Sequence, residues 1–260
     1  MRRSFWILFI TFSTIGYSQE LVETKCVAHR GNTKYELENS ISAIVSAYDV
    51  GADGIEVDVR HTIDGYPILL HDRTLNGVAV DRPGYKCPLK KNVSELFLFT
   101  IRKNCLLKNG EVVPTLFDAL GDDLNNHLEF FLELKDSPSE KTIELIKSSL
   151  STNRKINIIS FKTKILKRLS RIFSVDESVA FYRLYLLYVS PDRKYGSSIM
   201  YTRFNYRRVK KNKQDFLNGI WTIDNEQIMK SAFDHNIGFI TTNDPFLCVS
   251  IKKMHQKINQ

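Results

Sequence analysis

Cysteine is scarce in this chain and is never spaced to hold zinc. Cys26, Cys87, Cys105 and Cys248 include no C-x-x-C pair, which argues against the thiolate sites of zinc modules. No internal repeat is visible, no linker composition splits the chain, and no recognised nucleic-acid module accompanies its basic charge. Long apolar runs are also missing, since Phe5 to Phe12 is too short to span a bilayer comfortably. What remains is an ordinary globular composition, 43% apolar and 25% charged over 260 residues, enough for one barrel-sized domain.

The N-terminus departs from that composition. Arg2 and Arg3 precede the apolar run, Gly16, Tyr17 and Ser18 follow it, and no acid appears before Glu20. This order predicts a secretory signal peptide over residues 1–18, cleaved after Ser18, with residues 19–260 as an exported domain, periplasmic or secreted. A membrane anchor or a buried first helix is the competing explanation. In an oxidising compartment Cys87 and Cys105 could pair across a turn-rich loop, and the sequence leaves that open. Cys26 and Cys248 sit in apolar contexts and read as small core residues.

Cleavage would lower Lys+Arg from 37 to 35 against Asp+Glu 29, a net charge near +6. The excess is concentrated in Lys162, Lys164, Lys167, Arg168 and Arg171, and again in Arg203, Arg207, Arg208, Lys210, Lys211 and Lys213. Such a surface suits phosphate substrates or transient contact with anionic lipid headgroups. A solvated face of a basic protein explains the same residues.

Strand-like runs occur at 25–30, 53–59, 67–71, 128–134, 156–160, 179–186, 219–223 and 238–242. Helical spacing of apolar residues appears over 40–50, 139–150, 162–173 and 226–236. Apolar strands alternating with amphipathic helices predict a parallel sheet covered on its outer face, and eight of them favour a closed TIM-type (β/α)8 barrel. The stretch between His71 and Pro114 is too long for a plain connection and reads as a small insertion over the barrel mouth. Residues 190–218 are the least legible.

Four strands end in polar clusters: His29-Arg30-Gly31, Glu56-Val57-Asp58, His71-Asp72 and Glu133-Leu134-Lys135. In such barrels reactive groups gather at the C-terminal strand ends. Glu56 and Asp58, two residues apart on a strand, face the same side. Two inward carboxylates repel unless something positive lies between them. With Glu133 as a third oxygen ligand and no cysteine nearby, a divalent hard cation, Ca²⁺ or Mg²⁺, is the simple solution.

Imidazole as a group titrates near neutrality, so two of them suit an acid/base pair across a scissile bond, which makes His29 and His71 the candidates, though a lone histidine there would read as core. Asp72 could orient an imidazole or support the ion from behind. Arg30 and Lys135 offer the fork and the point charge that phosphate oxygens accept. Glu38 either serves the ion, holds Arg30 or simply precedes the cap formed by Asn39 or Ser40. Trp221 could wall the pocket against a glycerol backbone or pack in the core, and Thr241 to Pro245 read as a turn that could close the site.

The ordered set of His29-Arg30-Gly31, Glu38-Asn39, Gly51 to Val59, Thr62 to Gly65, His71-Asp72, Val113 to Leu116, Phe131 to Lys135, Ser160-Phe161, Trp221-Thr222 and Thr242 to Pro245 resembles the glycerophosphodiester phosphodiesterase family over residues 25–247. The resemblance implies a TIM-type barrel, a divalent cation, and hydrolysis of glycerophosphodiesters to an alcohol and glycerol 3-phosphate. It implies Glu56, Asp58 and Glu133 as metal ligands, His29 and His71 as the acid/base pair, and Arg30 and Lys135 as phosphate contacts. Leu37 stands where the family usually has Pro, and Asp224 where it often has Asn. Sphingomyelinase D-like or phosphoinositide phospholipase C-like barrels acting on membrane lipid, and a non-catalytic binding protein, are the alternative readings.

Overall fold

The computed structural model describes residues 23–121, 128–152, 154–174, 179–185, 195–202 and 217–258. The proposed signal peptide and the basic run 203–213 lie outside them. Among the described residues no helix is long and apolar enough to cross a membrane.

Eight parallel strands close into a barrel: β1 (Lys25–His29), β2 (Gly54–His61), β6 (Glu129–Leu134), β7 (Ile156–Ser160), β8 (Val179–Tyr185), β9 (Gly196–Met200), β10 (Leu217–Trp221) and β11 (Phe239–Thr242). Closure comes from β1, which pairs with β2 on one side and β11 on the other. Outside run α1 (Ile41–Asp49), α3 (Leu116–Leu120), α4 (Glu140–Leu150), α5 (Thr163–Ile172), α6 (Glu226–Asp234) and α7 (Pro245–Ile258).

The expected strand count was right but one member was not. β3 (Pro67–Leu69) pairs antiparallel with the end of β2 and hangs outside the barrel. Its place is taken by β9, in the stretch hardest to read. Gly-Ser-Ser-Ile-Met lacks a strong apolar run, yet Ser197 and Ser198 are buried between β8 and β10.

Alternation along each strand separates two cores. Ile55, Val57 and Val59 of β2 and Phe130, Leu132 and Leu134 of β6 face outward against Ile44, Leu116, Ile146 and Leu166 of the helices. Val27, Phe131, Ile159, Leu184 and Phe239 fill the interior. Fully burying such a side chain stabilises by about 1.5–3 kcal/mol. Gly219 admits Phe239 to this interior, because a Cβ there would lie 2.2 Å from the ring.

Between His71 and Pro114 the insertion builds a hairpin, β4 (Ala79–Asp81) with β5 (Cys105–Leu107), and α2 (Leu98–Asn104). It has its own apolar cluster of Leu70, Leu75, Cys87, Val93, Ile101 and Val113, against which Leu37 packs. Cys87 and Cys105 are disulfide-bonded within it. The reading of Cys26 and Cys248 as separate core residues is corrected: they form a second disulfide with Cα atoms 5.8 Å apart. Both are fully buried, as expected. Apolar surroundings do not distinguish a thiol from a bridged sulfur, and 222 residues of separation hid the docking of α7 beneath β1.

Candidate active site

Strand register assembles the site at the C-terminal rim. His29 of β1 lies beside Glu56 of β2, and Asp58 of β2 beside Glu133 of β6. One carboxylate oxygen from each of Glu56, Asp58 and Glu133 comes within 4.8 Å of the others, and all three residues are buried.

The surrounding cations are unevenly shared. Arg30 Nε is 3.0 Å and Lys135 Nζ 2.9 Å from opposite oxygens of Asp58. Burial raises the proton affinity of Asp58, but Lys135 and Arg30 overcome this and hold its pKa below the ordinary value. Among the described residues no lysine or arginine side chain comes this close to Glu56. Burial, then the charges of Asp58 and Glu133, push it well above the usual carboxylate range. Glu133 is also raised, by burial and Asp58, although Lys135 Nζ approaches it at 2.5 Å. Glu56 Oε2 accepts from the Arg30 backbone N–H at 3.0 Å. Among the described residues its Oε1 is buried with no hydrogen-bond partner. A buried carboxylate oxygen without a donor, facing two others, fits a hard cation, and so does this all-oxygen donor set.

The loop after β1 is tightly fixed beside these carboxylates. Arg30 has φ 55° and Asn39 φ 57°, left-handed values that non-glycine residues rarely adopt. Gly31 must be glycine, with φ 89° and a hypothetical Cβ 2.6 Å from Ala43. Of the two candidate caps, Ser40 caps α1 by accepting from Ala43 N. Asn39 instead grips Asp58, donating from Nδ2 to Oδ2 at 2.9 Å and accepting the Asp58 N–H at 3.0 Å. Glu38 is spaced to hold Arg30, with Oε2 2.7 Å from Nη1.

His29 is fixed by a chain that the sequence reading did not assemble. Asp224 accepts the Asn243 backbone N–H and Nδ2, both at 2.8 Å, and the Thr242 hydroxyl at 3.0 Å. A carboxylate can only accept here, so the Asn243 amide nitrogen must face it. Asn243 Oδ1 then faces the Thr33 hydroxyl at 3.1 Å and His29 Nδ1 at 2.8 Å. His29 Nδ1 therefore carries hydrogen, and Nε2, 4.0 Å from Glu56 Oε2, has the free lone pair. Burial and then Arg30 lower the His29 pKa. The Thr242–Asn243–Asp244 turn and Asp224 were visible in the sequence as isolated features; only the β10–β11 pairing brings them together.

His71 lies beyond β3, its Nδ1 2.9 Å from Asp72 Oδ1. It is close enough to Glu133 for its charge to lower that carboxylate's proton affinity. Trp221 ends β10 beside the interior cluster and meets Phe161 edge-on, ring centroids 5.8 Å apart. Its ring packs against that interior cluster.

The chain is similar to known proteins over most of its length. The model of the glycerophosphoryl diester phosphodiesterase family matches residues 29–247. A glycerophosphodiester phosphodiesterase of Caldanaerobacter subterraneus subsp. tengcongensis is 27% identical over 256 residues, 88% of this chain and 98% of that protein. Human glycerophosphodiester phosphodiesterase 1 is 34% identical over 124 residues, 46% of this chain but only 37% of the human protein. The crystal structure of a glycerophosphodiester phosphodiesterase from Parabacteroides distasonis superposes with a TM-score of 0.72 at 25% identity, covering 92% of this chain and 99% of that one. With the fold, the rim geometry and a family match over most of its length, the chain belongs to the glycerophosphoryl diester phosphodiesterase family.

Proposed function

We propose that this protein hydrolyses glycerophosphodiesters to an alcohol and glycerol 3-phosphate with a divalent cation, Ca²⁺ or Mg²⁺, held by Glu56, Asp58 and Glu133. The observation that carries this reading is the convergence of three buried carboxylate oxygens within 4.8 Å beside Arg30, Lys135 and two histidines. When bound, a hard cation would polarise a phosphoryl oxygen and offset the like charges of its ligands. Arg30 and Lys135 supply the remaining positive charge for the phosphate.

His29 Nε2, the ring nitrogen left without hydrogen, takes a proton from the nucleophile, either water or the neighbouring glycerol hydroxyl. His71 protonates the departing oxygen. Its Nδ1 is committed to Asp72, so Nε2 is the atom that would donate. Trp221 offers an apolar wall to the glycerol backbone. The two disulfides suit an oxidising compartment, in keeping with export after removal of residues 1–18.

An enzyme-coupled glycerol 3-phosphate assay tests this reading. Release from glycerophosphocholine should fall to background in EDTA and return with Ca²⁺ or Mg²⁺. Glu56→Gln should abolish the metal response, and full activity in chelator would defeat the assignment. A second reading, a sphingomyelinase D-like or phosphoinositide phospholipase C-like enzyme acting on membrane lipid, draws on exposed aromatics near and within the insertion. Phe97, Phe99 and Phe117 are 57%, 72% and 64% exposed, and Lys103 Nζ lies 5.6 Å from the Phe99 ring. Turnover of sphingomyelin or lysolipid vesicles in place of glycerophosphocholine would favour it.

A further inference from the structure

A cavity of about 230 Å³ adjoins the carboxylate cluster, with Glu133 and Lys135 in its wall. It therefore opens beside the phosphate contacts. A diester seated there has two arms, and one of them would enter this space. The rest of the lining includes Arg60, Arg73, Asp136, Phe161 and Lys162. Four cations thus face two carboxylates.

The pairings leave positive charge over. Asp136 is shared by Arg60 Nη1 at 3.3 Å and Lys162 Nζ at 3.9 Å, while Lys135 is already held by both Glu133 and Asp58, which leaves Arg73 and part of the Arg60–Lys162 charge over. Lys162 Nζ also donates to the Lys135 carbonyl. Arg60 has a structural task as well, since its Nε donates to the His71 carbonyl at 2.9 Å and braces the start of the insertion. Arg73 has none. Among the described residues its exposed guanidinium makes no hydrogen bond or ion pair, although its backbone carbonyl accepts from Val93 N at 2.8 Å. Like charges converging on one cavity repel, and a bound anion would relieve them. Glycerol is neutral, and a choline headgroup would meet its own sign of charge.

We propose that this cavity binds an anionic group on the alcohol arm of the substrate, with Arg73 and Lys162 as specificity-determining residues. The preferred substrates are then glycerophosphodiesters whose headgroup bears its own carboxylate or phosphate. This inference rests on the phosphodiesterase reading above.

Glycerophosphoserine and glycerophosphoethanolamine test it, because they differ by one carboxylate. The wild-type kcat/KM should favour the serine diester by about 10- to 100-fold, the usual worth of a hydrogen bond between charged groups. Arg73→Glu should collapse that ratio to one or below, and Arg73→Lys should keep most of it. Equal kcat/KM for both substrates in the wild type would overturn the anionic cavity while leaving hydrolysis standing. Release of glycerol 3-phosphate from neither substrate would overturn both readings. A serine preference untouched by Arg73→Glu, with inhibition by inorganic phosphate weakened, would make this a free-phosphate site and overturn the substrate assignment.

Discussion

His29 ends a strand of the closed barrel, whereas His71 hangs from a three-residue antiparallel strand at the root of the insertion. The side chain of His29 is 19% exposed, and its partner Asn243 is locked in turn by Thr33 and Asp224 from two other parts of the chain. That of His71 is 37% exposed, and its partner is the adjacent Asp72, itself 69% exposed. One imidazole has its hydrogen placed by the scaffold before any ligand arrives. The other depends on a neighbour that solvent screens. The division also separates tasks, because the insertion can vary around His71 without disturbing the carboxylates, which belong to β2 and β6.

Removing each imidazole is the strongest way to break that comparison. His29→Ala and His71→Ala should each lower kcat by about 10²- to 10⁴-fold, with cation binding retained. Near-wild-type turnover in His71→Ala alone would mean that the acid comes from elsewhere and that the insertion only shapes the pocket.

Asn243→Ala sharpens the comparison with a smaller effect, about 10- to 100-fold in kcat, as is typical when the partner that orients a functional imidazole is lost. The sign of the pH response separates positioning from general damage. The Asn243 hydrogen bond raises the His29 pKa against the lowering by burial and Arg30. Without it the pKa falls further, so the acidic limb of kcat/KM, where the base becomes protonated, should move to lower pH. A depressed rate with an unmoved acidic limb would remove Asn243 from this role.

Legibility followed the same line between regions. Glu56-x-Asp58 and Glu133-x-Lys135 could be read directly, because strand alternation fixes which side chains share a face and register only has to bring two neighbouring strands together. Residues 67–71 misled because Pro-Ile-Leu-Leu is as apolar as a barrel strand, and pattern says nothing of direction or partner. β9 was missed for the opposite reason, since its small buried serines carry no hydrophobic signal. Asn39 looked like a cap because Asn is a common cap. Its grip on Asp58 depends on a left-handed backbone that no residue pattern announces. The Asp224–Asn243–His29 chain joins positions up to 214 residues apart, beyond any local spacing rule.

Asp72→Asn is the mildest test and bears most directly on the contrast between the histidines. The carboxylate accepts from His71 Nδ1 at 2.9 Å, and an amide oxygen can still accept there. What the substitution removes is an exposed charge, and exposed ion pairs are worth little, so kcat should drop by about fivefold at most. Raising the ionic strength in the wild type should reproduce part of that loss, because screening acts on the same interaction. His29 should be far less sensitive to salt, since its orienting partner Asn243 is neutral and bonded on both sides. If Asp72→Asn instead costs as much as Asn243→Ala, His71 is held as firmly as His29. The insertion would then belong to the catalytic scaffold as fully as the barrel does.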